Sequence, residues 1–184
     1  MARTTPGLTE PVARVLPAAV WFSACGLPLE HSDLSDARAY LQSLNAPATT
    51  TIEPAASWEH AERIIRNPAW DTSWWEREEA ARKVLLARCI ARFGEAQTLD
   101  HLSIKAGIDH EVIHGAAALA ASRMGVADPA LTRAAAGAAS MTAHGRALAQ
   151  LAEAGDTHMF MRKYALFEGG RWPLGLVRGV FYLF

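Results

Sequence analysis

His110-Glu111-Val112-Ile113-His114 carries the spacing of a metal-dependent hydrolytic motif. On a helix, side chains four apart share a face, so two imidazoles reach one divalent ion while the carboxylate between them takes a proton from bound water. A catalytic zinc needs a third protein ligand and one open position. The chain has seven histidines, and His144 is the one placed to help. If the polypeptide reverses near residues 126–127, two antiparallel helices bring His144 level with His110. Glu111 and His114 also form the Glu-x-x-His pair of di-iron bundles, but those need a second copy of the pair, and the chain holds none.

In these five residues the segment resembles the zincin metallopeptidases. The resemblance implies zinc ligation by His110 and His114, with Glu111 as general base. It covers only the motif, since residues 115–120 supply no further histidine of the kind the longer metzincin pattern requires. Two physical arguments oppose it. A helix capped by Asp109 places His110 and Glu111 in its first turn, where the positive end of the macrodipole disfavours a cation. An apolar stripe of Ile108, Val112, Ala116 and Leu119 would turn both imidazoles toward water.

Residues 102–113 also have the outline of a helix-turn-helix, with Gly107 at the turn and Asp109 as the next cap. The second helix would present Asp109, His110, Glu111 and His114, and no Lys or Arg before Arg123. Acids in that position repel phosphate, so two helices joined for packing are expected instead of a DNA reader.

Four of the six tryptophans fall between Trp58 and Trp75. Trp70 and Trp74 flank a loop, and Gly169-Gly170-Arg171-Trp172 sets a guanidinium beside an indole. Such residues favour binding surfaces, which makes Trp70, Trp74, Arg171 and Trp172 the candidate contacts for a protein or small-molecule partner. Large indoles also fill space in a domain poor in other bulky side chains, and core filling is the more ordinary use.

Composition narrows the rest. The 18 Lys+Arg nearly cancel 19 Asp+Glu, so no net field draws the protein to nucleic acid or anionic lipid. No apolar run reaches the ~20 residues of a membrane crossing. Cys25 and Cys89 lack any CxxC spacing and suit two buried thiols in a reducing, cytoplasmic setting. Residues 15–27 have the apolar character of a signal-peptide core, but Glu10 and Pro17 break that pattern, and a core helix is expected there.

The elements follow from capping and breaking residues. Thr4, Pro6, Gly7 and Pro11 predict a loose arm over residues 1–14, followed by one mainly helical domain over residues 15–184. Ser32 is expected to cap a helix over 33–44, ended by Asn45 and Pro47. A β-prone stretch at 49–52 precedes a helix over 58–66 capped by Ser57. Ser73-Trp74-Trp75-Glu76 has the form of a capping box, opening a long helix that runs to Gly94. Its apolar face is read as Trp75, Leu86, Cys89, Ile90 and Phe93, with Glu79 and Arg82 paired at the border. Thr98, Asp109 and Asp128-Pro129 then predict three further helices, the last two forming an Ala-rich hairpin. Residues 160–184 read as β-rich, with Gly169-Gly170 as a hairpin turn and Pro173 at an edge or bulge.

The fold class expected is therefore mainly α, a helical domain with an Ala-rich helical hairpin and a small C-terminal β-hairpin or meander. The function expected is a non-catalytic interaction or regulatory domain, without a cofactor, since no phosphate loop or nucleophile elbow is present. A zinc-dependent hydrolase at His110, Glu111, His114 and His144 is the alternative. The Ala-rich hairpin also suits contact with a second copy of the chain.

Overall fold

The computed structural model describes residues 20–126 and 128–184, apart from the side chains of residues 106–108. The expected arm over residues 1–14 lies outside the described residues. The protein is mainly helical, with six helices and a small mixed four-stranded sheet that includes a C-terminal β-hairpin. The helices are α1 (His31–Ser43), α2 (Trp58–Ile65), α3 (Ser73–Phe93), α4 (Glu95–Arg123), α5 (Pro129–Leu151) and α6 (Met159–Glu168). The strands are β1 (Thr51–Pro54), β2 (Trp70–Asp71), β3 (Pro173–Val177) and β4 (Val180–Leu183), in the order β1-β4-β3-β2. β1 runs parallel to β4, and the other pairings are antiparallel.

Residues 20–26 form turns where a core helix was expected, and residues 15–19 lie outside the described set. Phe22 and Gly26 both adopt positive φ, which no α-helix admits. The apolar side chains are nonetheless inside: Trp21, Phe22 and Cys25 are buried. Burial pushes the Cys25 thiol up to about 12, as befits an inert core cysteine.

Several caps act where the residue types place them. Ser57 Oγ accepts the His60 N–H at the head of α2, and Asp128 accepts the Ala130 N–H at the head of α5. Asn45 takes the left-handed conformation past α1. α1 itself is capped by Glu30 in place of Ser32, through a reciprocal box with Asp33. α3 starts at Ser73 without a Ser73 cap, and Thr72 Oγ1 donates to Glu76 instead.

The buried face of α3 is Trp74, Glu78, Leu85 and Cys89, rotated by about one residue from the expected one. Trp75 is half exposed. The charged Glu78 hid this seam, because a pattern of apolar letters skips a buried carboxylate. The Glu79–Arg82 pair is present, with Nε donating to Oε1 at 3.0 Å.

α4 runs unbroken for 29 residues, which replaces the two helices expected around Gly107 and removes the helix-turn-helix. One interior glycine costs ~1 kcal/mol relative to alanine, too little to break a helix whose neighbours are helix formers and contain no proline. α4 and α5 form the Ala-rich hairpin, with Ile113, Ala117, Ala120 and Ala121 in one core with Leu131, Ala135, Ala136, Ala139 and Ala143. Val112 and Leu119, expected in the seam, are exposed. Alanine on every side of a helix leaves the apolar stripe without a unique direction.

Residues 159–168 are helical, not the expected strand. Phe160, Lys163, Leu166 and Phe167 are buried at helical spacing, and Met, Arg, Lys, Ala, Leu and Glu outweigh the aromatics in propensity. The hairpin turn is Arg178-Gly179, both at positive φ, as a two-residue hairpin requires. Gly169-Gly170 instead closes α6. Pro173 sits at a register shift between β3 and β4, where a missing N–H does least harm. Leu176, Phe181 and Leu183 pack with Tyr40 and Leu41 of α1, while Leu174, Val177 and Phe184 pack with α2 and the hairpin.

His158 caps α6, its Nδ1 accepting the Phe160 N–H at 3.3 Å. Burial holds its pKa below the ordinary 6.5, and only the neutral ring can accept that bond. The unfolded chain therefore binds the proton more readily. This contribution is complete above about 6.5 and is lost as pH falls through the lower native value. The urea midpoint of the protein is expected to drop between pH 7 and pH 5 more steeply than that of His158→Asn, which retains a non-titrating acceptor. Equal slopes would show that the cap contributes nothing.

Candidate functional site

α3, α5, α6 and β3 leave between them a cavity of about 260 Å³. That is far above the ~10–15 Å³ that admits one water and near the lower end of small-molecule sites, roughly 300–1,000 Å³. Indoles dominate its wall. Trp70, Trp74, Trp75 and Trp172 line it, together with Phe160 and Met141. Trp70 and Trp74 meet edge to face with centroids 5.5 Å apart.

Small residues make the space. Gly137 lines the cavity, and a Cβ there would meet nothing within 4 Å. Gly145 lies where a Cβ would come within 3.0 Å of the Phe160 ring, so its smallness lets α5 and α6 approach. Gly175 of β3, at φ +114°, has the two indoles Trp70 and Trp74 where a Cβ would stand, 2.7 and 2.9 Å away. Ala134, Ala138, Met141 and Gly145 of α5 line the cavity as well.

Charge enters this apolar wall only in pairs. Lys163 Nζ donates to Glu78 Oε2 at 2.7 Å, both side chains being about nine-tenths buried. The other Glu78 oxygen accepts the Tyr40 hydroxyl at 2.6 Å. Burial, then the Glu78 charge, push the Tyr40 phenol well above its ordinary value, so it serves as a fixed donor. The ammonium also lies 4.6 Å from the Trp74 ring centre, within cation–π range. At the margin, the Arg82 hydrogen bonds hold the Glu79 carboxyl below its usual range.

Three of the four expected binding residues, Trp70, Trp74 and Trp172, thus lie around one cavity. The Trp70 indole N–H donates to Leu174 O at 3.0 Å. The Trp74 indole N–H is buried with no partner. Arg171, the fourth, lies elsewhere and is 3% exposed. Its guanidinium donates to Asp33 Oδ2 and to the carbonyls of Ala24, Leu27 and Pro28, which uses all five N–H groups. It is a structural pin, unavailable to a ligand.

No known protein family, no curated protein and no solved structure matches this chain. The site therefore has to be read from its own residues.

The histidine motif is on the outer side of α4. His110 and Glu111 are exposed and His114 half-buried, with the two rings 4.2 Å apart. His144 does not join them. It faces Arg82, Leu86, Leu99, Leu102 and Ser103 in a separate hollow, where burial and then the Arg82 charge lower its pKa. Among the described residues no three His, Cys, Asp or Glu side chains are grouped to hold a metal ion. The chain reverses between α4 and α5 as expected, but His144 faces a hollow between α3 and the first turns of α4.

Sequence reasoning missed Tyr40, Glu78 and Lys163. Glu78 and Lys163 are 85 positions apart, beyond any local spacing rule. The one available signal was the helical spacing of Phe160, Lys163 and Phe167, obscured by reading that segment as a strand.

Proposed function

We propose that this protein acts by binding, as a non-catalytic helical regulatory or interaction domain whose ligand site is the indole-lined cavity. The observation that carries the reading is the cavity itself, walled by four tryptophans together with the desolvated Glu78–Lys163 pair. Concave, largely apolar space with a few fixed polar groups is the usual anatomy of a small-molecule site. The charged groups here are engaged with each other and leave no free nucleophile or base, which favours recognition over turnover. No helix among the described residues is long and apolar enough to cross a membrane. Chemical-shift mapping of the full chain against a panel of small aromatic compounds tests the proposal. Perturbations centred on the indole signals of Trp70, Trp74 and Trp172 support it. Perturbations confined to other surfaces overturn it.

A zinc-dependent hydrolase remains a second reading because the His110 and His114 rings stand 4.2 Å apart on one helix. Glu111 would be its base, and a ligand other than His144 would have to complete the site. This reading expects about one zinc per chain in protein purified without chelator and its loss in His114→Ala. Protein that carries no zinc, and whose unfolding is unchanged by added zinc, would end it.

A further inference from the structure

Resting on the reading of the cavity as a ligand site, we infer that its ligand is a small, electrically neutral molecule with a flat apolar body and one hydrogen-bond acceptor, held by the Trp74 indole N–H. The charge balance carries the first part. Four charged side chains line the cavity, and they close into two pairs, Lys163 with Glu78 and Arg82 with Glu79. The second Glu78 oxygen is taken by Tyr40. An ion entering this wall gives up its hydration and finds no uncompensated opposite charge, which is unfavourable in a medium that solvates poorly.

The acceptor follows from an unpaired donor. Trp74 is 5% exposed and lines the cavity, and its Nε1 has no hydrogen-bond partner. Buried N–H groups are normally paired. The neighbouring Trp70 meets this requirement through Leu174 O, whereas the buried Trp74 N–H is left unpaired beside the cavity. The flat body follows from the wall, since edge-to-face indoles bounding about 260 Å³ favour a ring over a branched chain.

Three probes of one size separate the parts: acetophenone, neutral with an acceptor; ethylbenzene, neutral without one; and benzoate, anionic. Titration of the full chain, followed by tryptophan fluorescence and calorimetry, is expected to rank acetophenone about tenfold tighter than ethylbenzene, the scale of one hydrogen bond in a dry site. Benzoate is expected to be weakest. Trp74→Phe removes the N–H and should erase the advantage of acetophenone over ethylbenzene. Gly137→Leu projects into open space on a helix, so it should abolish binding of both neutral probes with an unchanged circular dichroism spectrum. On the wild-type protein, acetophenone and not ethylbenzene should shift the Trp74 indole proton downfield, a measurement independent of how Trp74→Phe folds.

Tightest binding by benzoate would overturn neutrality. Equal binding of the two neutral probes, or an advantage that survives Trp74→Phe, would overturn the acceptor. If none of the three binds while other aromatic compounds still perturb the indole signals, this ligand class fails and the cavity reading stands. If nothing perturbs them, both fail.

Discussion

Arg171→Leu is expected to destabilise the protein by about 3–5 kcal/mol, the usual cost of stranding the partners of a buried charge. The guanidinium is 3% exposed and ties three parts of the chain together. It holds the Asp33 carboxylate, which also accepts the Glu30 N–H at 2.8 Å in the α1 capping box. It also holds the carbonyls of Ala24, Leu27 and Pro28 in the turn before α1. Leucine removes the counter-charge of the Asp33 carboxylate and the side-chain donors to three peptide oxygens. Because domains of this kind are stable by only ~5–15 kcal/mol, the variant should unfold at a much lower urea concentration. Arg171→Lys should recover only part of the loss, since an ammonium on a flexible stem cannot fill five positions set by a planar fork. A midpoint within experimental error of the wild type for Arg171→Leu would refute the assignment of Arg171 as a structural pin.

The same residue shows what the amino-acid sequence does and does not reveal. Arg171 beside Trp172 has the look of a binding loop, and the guanidinium's occupants lie 138 to 147 positions away, invisible to any local rule. Local chemistry was legible where local chemistry decides: the Ser57 and Asp128 caps, the left-handed Asn45, the Glu79–Arg82 pair and a C-terminal β-hairpin, though its turn lies at Arg178-Gly179 and not at Gly169-Gly170. The mainly helical class and the Ala-rich α4–α5 hairpin followed from such features. What failed was settled by tertiary context. Gly107 does not break α4, the aromatic residues of α6 are not a strand, and residues 20–26 are held as turns by a guanidinium far along the chain. For the site, the tryptophans were visible as a group. The cavity was not, because it depends on distant glycines: Gly175 against the Trp70 and Trp74 rings, Gly145 against Phe160, and Gly137 in the wall. The HExxH string was the most conspicuous pattern, yet its geometry depends on which way His144 turns, and that is set by packing among α3, α4 and α5.

Lys163→Met should be comparably severe, about 3–5 kcal/mol, because Glu78 would keep its burial and lose its counter-ion. The converse, Glu78→Met, strands the ammonium and the Tyr40 hydroxyl together. The informative species is the double variant Glu78→Met/Lys163→Met. Replacing both members of a buried pair by apolar groups of similar volume is often neutral or stabilising, so the double variant should regain most of what either single one loses. Because the two single losses then far exceed that of the double variant, the coupling energy should be at least about 4 kcal/mol, above the ~0.5–3 kcal/mol usual for residues in contact. Adding Tyr40→Phe removes the last unpaired hydroxyl and should recover more. Urea unfolding of the four proteins of the cycle measures the coupling; additive losses would mean that the 2.7 Å contact contributes little to stability. The cycle also bears on function. Both wild-type and double-variant cavities are neutral, whereas Lys163→Met alone leaves the Glu78 carboxylate uncompensated. If the network exists to keep the wall neutral, the double variant should still bind acetophenone, and the single variant should bind it less well at equal fraction folded. A network kept only to join α1, α3 and α6 predicts a restored fold with no such difference in binding.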